Sequence, residues 1–386
     1  MVSQAERKSP MCLPLQLCFR PTVKANKKVR PALETVTVRT KPQPHVPIDE
    51  AIKGITLTKT CPVEVQEFTI NKEFIPSSRS GSYAHTGFRD YMEDEHLRID
   101  DLSICFELPS ESPRPAAFYG VFDGHGGPEA ATFVKNNITK ILFQNTNFPM
   151  SIEVEKGFIG DAMDSLQRAY LLADKALSDA RYGVSPATGT TALTALIFGR
   201  ILMVANAGDC RAVLCRNGVA VDMSQDHRPA NIHEMDRVKK LGARVLYGRL
   251  DGILSVTRAL GDWDMKIQGR AAGAALSPLI SDPDFQHVTL TEDDEFLILA
   301  SDGIWAVMSS WRAVNIVRKE LKKHNDPKRA ARKLVRESYW LGANDNATVV
   351  VVCLSSQDQR SSMKLRPKGW LGRLLWWRKN QVISLS

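Results

Sequence analysis

The chain has 386 residues, 43% of them hydrophobic and 24% charged, with a formal net charge of +8. That apolar share supports a sizeable core, so neither a disulfide framework nor a structural metal is needed for folding. The positive charge sits at the ends, about +5 over residues 1–75 and about +7 over 360–386, against about −4 between them. Overall basicity is therefore no argument for nucleic-acid binding, and no nucleic acid is expected as a partner.

Residues 1–75 are rich in Pro, Lys and Arg and weakly periodic, and read as a flexible, solvated extension. They lack the contiguous apolar stretch and cleavage site of a secretory signal. No apolar run anywhere approaches the roughly 20 residues that span a bilayer. The seven cysteines (Cys12, Cys18, Cys61, Cys105, Cys210, Cys215, Cys353) are scattered, odd in number and free of any Cys-x-x-Cys pair. A reduced cytoplasmic or nuclear setting fits them. The glycosylation-like triplets Asn137-Ile138-Thr139 and Asn346-Ala347-Thr348 are then empty matches.

Residues 76–358 read as one domain. Short β-like runs recur at Ala117–Phe122, Thr190–Phe198, Ile201–Asn206, Ala212–Arg216, Phe296–Ala300 and Thr348–Leu354. Helix-like segments lie at Gly127–Leu142, Ile159–Arg181, Ile232–Leu241, Trp311–Lys323 and Pro327–Leu341, and Pro128-Glu129 suits a helix start. Strands come in clusters and helices in pairs, without βαβα alternation. This predicts an α+β plan, antiparallel sheets with helices outside. The tail, 359–386, is distinct: over 364–379, Trp370, Leu371, Leu374, Leu375, Trp376 and Trp377 alternate with Lys368, Arg373, Arg378 and Lys379. Such a segment suits peripheral contact with an anionic membrane surface, or packing on the domain or a partner.

The chemistry is carried by aspartates at strand ends. Phe118–Phe122 runs into Asp123-Gly124, Phe296–Ala300 into Ser301-Asp302-Gly303, and Leu202–Asn206 into Ala207-Gly208-Asp209, while Asp345 precedes the strand at Thr348. A strand that stops at Asp-Gly puts a carboxylate on the sheet rim, and the glycine is expected to let the backbone turn sharply and leave its carbonyl open. One such pair is usually a turn. Four of them, with Glu93-Asp94 upstream, make a nest of hard oxygens that suits Mg²⁺ or Mn²⁺ and needs cations to offset its repulsion. His227 has no ligand partner at suitable spacing and reads as structural. Cys210 and Arg216 satisfy Cys-x5-Arg, but the intervening residues contain no glycine and read as a strand, which supplies no phosphate cradle.

Seven ordered motifs then show a resemblance. Arg89-Asp-Tyr-Met-Glu93-Asp94, Val121-Phe-Asp-Gly-His-Gly-Gly127, Thr188-Gly-Thr-Thr-Ala192, Ala207-Gly-Asp-Cys-Arg211, Thr257-Arg-Ala-Leu-Gly-Asp262, Ala300-Ser-Asp-Gly-Ile-Trp305 and Asn344-Asp-Asn346 resemble those of type-2C protein serine/threonine phosphatases, in wording close to plant members. The resemblance implies a four-layer αββα sandwich, two antiparallel sheets flanked by helix pairs. It implies a signalling hydrolase that, as a monomer, dephosphorylates phosphoprotein substrates through water or hydroxide bridging two Mg²⁺ or Mn²⁺ ions, with no phosphoenzyme. Carried over by position, Asp123 bridges the ions and the Gly124 carbonyl ligates one. Asp302 and Asp345 complete the other metal's shell, Glu93 serves the second metal, and Asp94 holds coordinated water. Arg89 clamps the substrate phosphate, and His125 donates a proton to the leaving alkoxide. After Asp-Gly-Ile-Trp most relatives have another Asp, where this chain has Ala306. The resemblance ties that Asp, with Asp209, to a weaker third metal, so Ala306 predicts reduced turnover or a higher metal requirement. It also leaves open an alternative, a weakly active or inactive scaffold that captures phosphoproteins.

Overall fold

In the computed structural model, residues 74–106, 115–149, 155–271 and 276–355 are described. The predicted N-terminal extension, but for its last two residues, and the Trp-rich tail lie outside them. The ten principal strands are β1 (Arg79–His85), β2 (Glu95–Ile99), β3 (Ala116–Phe122), β4 (Ala192–Phe198), β5 (Ile201–Ala207), β6 (Arg211–Arg216), β7 (Val219–Asp222), β8 (Asp284–Thr289), β9 (Asp294–Ala300) and β10 (Ala347–Cys353). They form two antiparallel five-stranded sheets, in the orders β1-β10-β9-β6-β7 and β8-β5-β4-β3-β2.

Alternation along the strands explains the layering. In β3, Ala117, Tyr119 and Val121 face Leu297, Leu299, Val350 and Val352 of the other sheet. Phe118 and Phe122 point the opposite way, into a second core with Val134, Ile138, Leu166 and Tyr170 of α1 (Glu129–Asn145) and α2 (Glu155–Leu177). The outer face of the other sheet buries Val213, Ile298, Val349 and Val351 against Val314, Val317, Leu334 and Val335. These last belong to α6 (Ser310–His324) and α7 (Pro327–Trp340). Strands buried on both faces read as continuous apolar runs, as Val349–Val352 does. The result is the expected αββα sandwich. Between these layers in sequence come α3 (Ile232–Lys240), α4 (Trp263–Ala271) and the single turn α5 (Asp302–Trp305).

Helix ends follow local chemistry. Pro128 is the residue before α1, whose first turn carries Glu129, and Asp326 caps α7 through the amides of Lys328 and Arg329 with Pro327 following. One expected strand is broken. Gly189–Thr190 pairs with Gly124–His125, and β4 begins only at Ala192. The register carries on through the interruption, so Thr191 stands opposite Asp123, and its side-chain oxygen takes the Asp123 amide in place of a backbone carbonyl.

Candidate metal and phosphate site

Asp123 follows β3 directly. Its amide donates to Thr191 Oγ1 at 3.1 Å, and the Thr191 amide returns a bond to the Asp123 carbonyl at 2.9 Å. Asp209 follows β5 across Gly208, which has φ +127°. This turn is tied down by buried His227, whose Nδ1 accepts from the Gly208 amide at 3.1 Å and whose Nε2 lies 3.0 Å from Asp284 Oδ2. His227 is structural, as expected. Asp302 opens α5 just after β9. One carboxylate oxygen from each of Asp123, Asp209 and Asp302 lies within 4.8 Å of the other two.

Gly124 and Gly303 serve differently from expectation. Neither has a positive φ. A Cβ on Gly124 would overlap the Glu93 carbonyl oxygen, and one on Gly303 would overlap that of Asn346. Each glycine admits the backbone of a second acidic segment, so close approach, not a sharp turn, requires it.

Those segments supply the remaining acids. Asp94 is buried, with Oδ2 accepting from Ser301 Oγ at 2.8 Å, while no hydrogen bond reaches its buried Oδ1. Glu93 Oε1 accepts from the Gly127 amide at 2.7 Å, and the Glu93 amide donates to Asn346 Oδ1 at 2.7 Å. Asn346, part of a glycosylation-like triplet, is thus buried and engaged. Asp345 is 43% exposed and meets Arg89 Nη2 at 2.7 Å. Glu93 and Asp345 border the three-carboxylate cluster and lie outside it.

Burial and mutual repulsion disfavour the ionised acids. Burial pushes Asp94 up to about 7. Burial and then the charge of Asp302 do the same to Asp209, also to about 7. Asp123 is driven well above the usual range by burial, with Asp94, Asp302 and Asp209 adding to it. A divalent cation would remove this strain, and the donors are hard oxygens, one of them unbonded. The residues present fit Mg²⁺ or Mn²⁺.

His125 Nε2 lies 2.8 Å from Asp262 Oδ2. Burial works against a charged ring, but the hydrogen bond and charge of Asp262 outweigh it, and His125 rises above the ordinary histidine value. Asp262 is buried at φ +52°, a conformation unusual for Asp. Cys210 is buried, and Arg211–Arg216 is strand β6, which disposes of the cysteine-phosphatase alternative.

Four residues of the site carry no role in the sequence reading: Thr191, Asp262, Ser301 and Arg228. The rule that a strand ends in a carboxylate, applied to Leu260-Gly261-Asp262, points to Asp262. Nothing in spacing points to Arg228, whose Nε lies 3.0 Å from Asp209 Oδ2 and whose Nη2 lies 3.0 Å from Asp302 Oδ2.

The family model described as Protein phosphatase 2C matches residues 78–347. A rice (Oryza sativa subsp. japonica) relative, "Probable protein phosphatase 2C 2", is 49% identical over 360 residues, covering 92% of this chain and 90% of its own. "Probable protein phosphatase 2C 13" of Arabidopsis thaliana is 53% identical over 285 residues, covering 74% of this chain and 73% of its own. The crystal structure of serine-threonine phosphatase 2C from Toxoplasma gondii superposes with a TM-score of 0.60 at 23% identity, over 73% of this chain and 96% of its own, a likeness of fold. The chain belongs to the protein phosphatase 2C family, as a plant-like member, and is a protein serine/threonine phosphatase.

Proposed function

We propose that the domain, residues 76–358, hydrolyses phosphoserine and phosphothreonine in proteins with water and two Mg²⁺ or Mn²⁺ ions, forming no phosphoenzyme. The observation that carries this is the meeting of Asp123, Asp209 and Asp302, from three separate strand ends, within 4.8 Å. Asp123 and the Gly124 carbonyl would hold the ion pair, with Asp302 and Asp345 on one ion and Glu93 and Asp94 toward the other. Bound there, the ions supply positive charge that makes water acidic enough to act as nucleophile near neutrality. Asp209 would contribute to a weaker further position.

Arg89 is 55% exposed, and its fork is available to phosphate oxygens on giving up its single bond to Asp345. His125, held by Asp262, keeps a proton at Nε2 or Nδ1 for an alkoxide leaving group. Buried Asp94 and Ser301 fix the floor of the site. Outside the domain, segment 364–379 would contact an anionic membrane surface or a partner, and the enzyme would act as a monomer.

The alternative, a scaffold that captures phosphoproteins, rests on Ala306. Against it stand the full set of Glu93, Asp94, Asp123, Asp302 and Asp345. A Mn²⁺ titration of phosphothreonine-peptide hydrolysis separates the two, with Asp123→Asn as comparison. The expected outcome is metal-dependent turnover by wild type and a loss of about two orders of magnitude or more in the variant. Wild-type rates and metal dependence in Asp123→Asn would sink the assignment, and absent turnover in wild type would favour the scaffold.

A further inference from the structure

We propose that Arg228 is a built-in, displaceable counter-cation of the carboxylate nest, which sets the divalent-cation concentration at which the nest fills. The inference rests on the metal reading above and goes beyond it. One guanidinium reaches two carboxylates from different strand ends: Nη2 donates to Asp302 Oδ2 at 3.0 Å, and buried Nε lies 3.0 Å from Asp209 Oδ2 as an ion pair without hydrogen-bond alignment. Both acids belong to the three-carboxylate cluster. A planar fork of fixed charge suits that bridging task, and it cannot be discharged by deprotonation.

The side chain is placed to leave. The Asp209 side chain is 3% exposed and that of Arg228 33%, so the arginine meets buried acid on one side and reaches solvent with about a third of its side-chain surface. Its backbone is pinned on both sides: the His227 amide donates to the Gly208 carbonyl at 2.9 Å, and the Asn231 amide donates to the Arg228 carbonyl at 2.9 Å. Outward motion therefore costs side-chain contacts and no backbone rearrangement. A cavity of about 600 Å³, bordered by Arg228, Arg211, Asp222, Gln225, Asp226 and Asn231, lies beside it and offers room for that motion. Its wall carries two carboxylates, Asp222 and Asp226, beside the cation of Arg211, and Ser310 and Arg211 already bond them.

Ala306 fits the same account. It stands four residues after Asp302, at the end of α5, and is exposed. A carboxylate there would rise one helical turn from Asp302 and add negative charge to this flank. With a methyl group instead, the guanidinium balances Asp209 and Asp302 in place of a further ion. A divalent cation sharing these carboxylates must then work against a positive charge already seated on them.

The test uses the full chain, stripped with chelator, and Mn²⁺ alone as probe. Wild type, Arg228→Gln and Arg228→Lys are compared by metal-free melting and by calorimetric titration. Arg228→Gln should melt several degrees lower without metal and bind its first Mn²⁺ about tenfold or more tightly, with Arg228→Lys between. If Arg228→Gln does not fold without metal, it is prepared in Mn²⁺ and its affinity read by chelator competition, with the same expectation. Equal Mn²⁺ affinity in wild type and Arg228→Gln, whatever the melting temperatures, overturns the proposal alone and leaves Arg228 a structural residue. Absence of Mn²⁺ binding by wild type overturns the metal assignment and this proposal together.

Discussion

Metal-free protein should lose stability as the pH rises from about 5.5 to about 8, opposite to the trend set by ordinary carboxylates. Asp94 and Asp209 are both pushed up to about 7, by burial first. A carboxyl with a raised value binds its proton more tightly folded than unfolded. Its contribution is complete below the unfolded value of about 4 and is lost as the pH climbs through about 7. Either acid alone would contribute on the order of 4 kcal/mol in full, of which about 2 kcal/mol is lost between pH 5.5 and 8. They share one repulsive nest, so relieving one relieves the other, and about 2 kcal/mol over this window for the pair is the better figure. For a domain of this size about 2–4 °C accompanies each kcal/mol, so the melting temperature should fall by roughly 5 °C. Glu234 does not interfere: burial opposes its charge, but bonds from Arg237, Arg258 and Thr257 overcome this and hold it far below the usual range. His125 is raised and acts in the same direction as the aspartates, whereas His96 is lowered by burial and opposes them. The assay is therefore thermal melting in chelator at both pH values for wild type and for an Asp94→Asn, Asp209→Asn double variant, then again in saturating Mn²⁺. The double variant and the Mn²⁺-loaded wild type should both flatten the slope. A metal-free melting temperature that holds or rises toward pH 8, or an equal slope in the double variant, would refute the reasoning.

Two further outcomes follow from packing and from the departure at position 306. Gly303→Ala should cost about 3 kcal/mol or more, since its Cβ would overlap the Asn346 backbone oxygen, and should abolish turnover by moving Asp302. Gly160→Ala, in open space on α2, should instead stabilise by about 1 kcal/mol; denaturant melts and kcat on a phosphopeptide compare them, and a tolerated Gly303→Ala contradicts the close approach. Ala306→Asp should raise turnover or lower the Mn²⁺ requirement, read from rate against metal concentration. Unchanged rate and metal dependence would remove Ala306 from the explanation of the site.

The layers were legible because strands buried on both faces leave near-continuous apolar runs, and the helix pairs kept their periodicity and their Pro and Asp starts. Short, polar or exposed elements were not: β2 (Glu95–Ile99) is mostly half-buried and β8 (Asp284–Thr289) mostly exposed, both with mixed residues, so they carry no run to detect. The rim acids were legible because an apolar strand ending in Asp is a local pattern. Arg228 was not, because its partners Asp209 and Asp302 are distant in sequence, Asp302 by 74 positions, and an isolated Arg carries no spacing signature. Asp262 lies between these cases. Its stretch, Thr257–Asp262, is one of the family-like motifs, but its task, holding His125 across 137 positions, is a tertiary fact.

The glycines explain why a local pattern forecast a non-local site at all. Asp123-Gly124 and Asp302-Gly303 each join an acid to a residue without a side chain, and in each the bare backbone is pressed by a second acidic segment. Glu93 meets Gly124, and Asn346, next to Asp345, meets Gly303. Gly87, two residues from Arg89, shares the close approach, since a Cβ there would overlap the Asp345 carbonyl oxygen, but at φ +69° its backbone calls for glycine as well. Each doublet therefore specifies a carboxylate and, beside it, the gap through which the next carboxylate arrives. Turn formation would require a positive φ, which Gly124 and Gly303 lack, and metal ligation by a carbonyl would not itself exclude a Cβ. Chain crossing accounts for both glycines at once. It follows that replacing either glycine should separate acids that replacing a neighbouring loop residue would leave together.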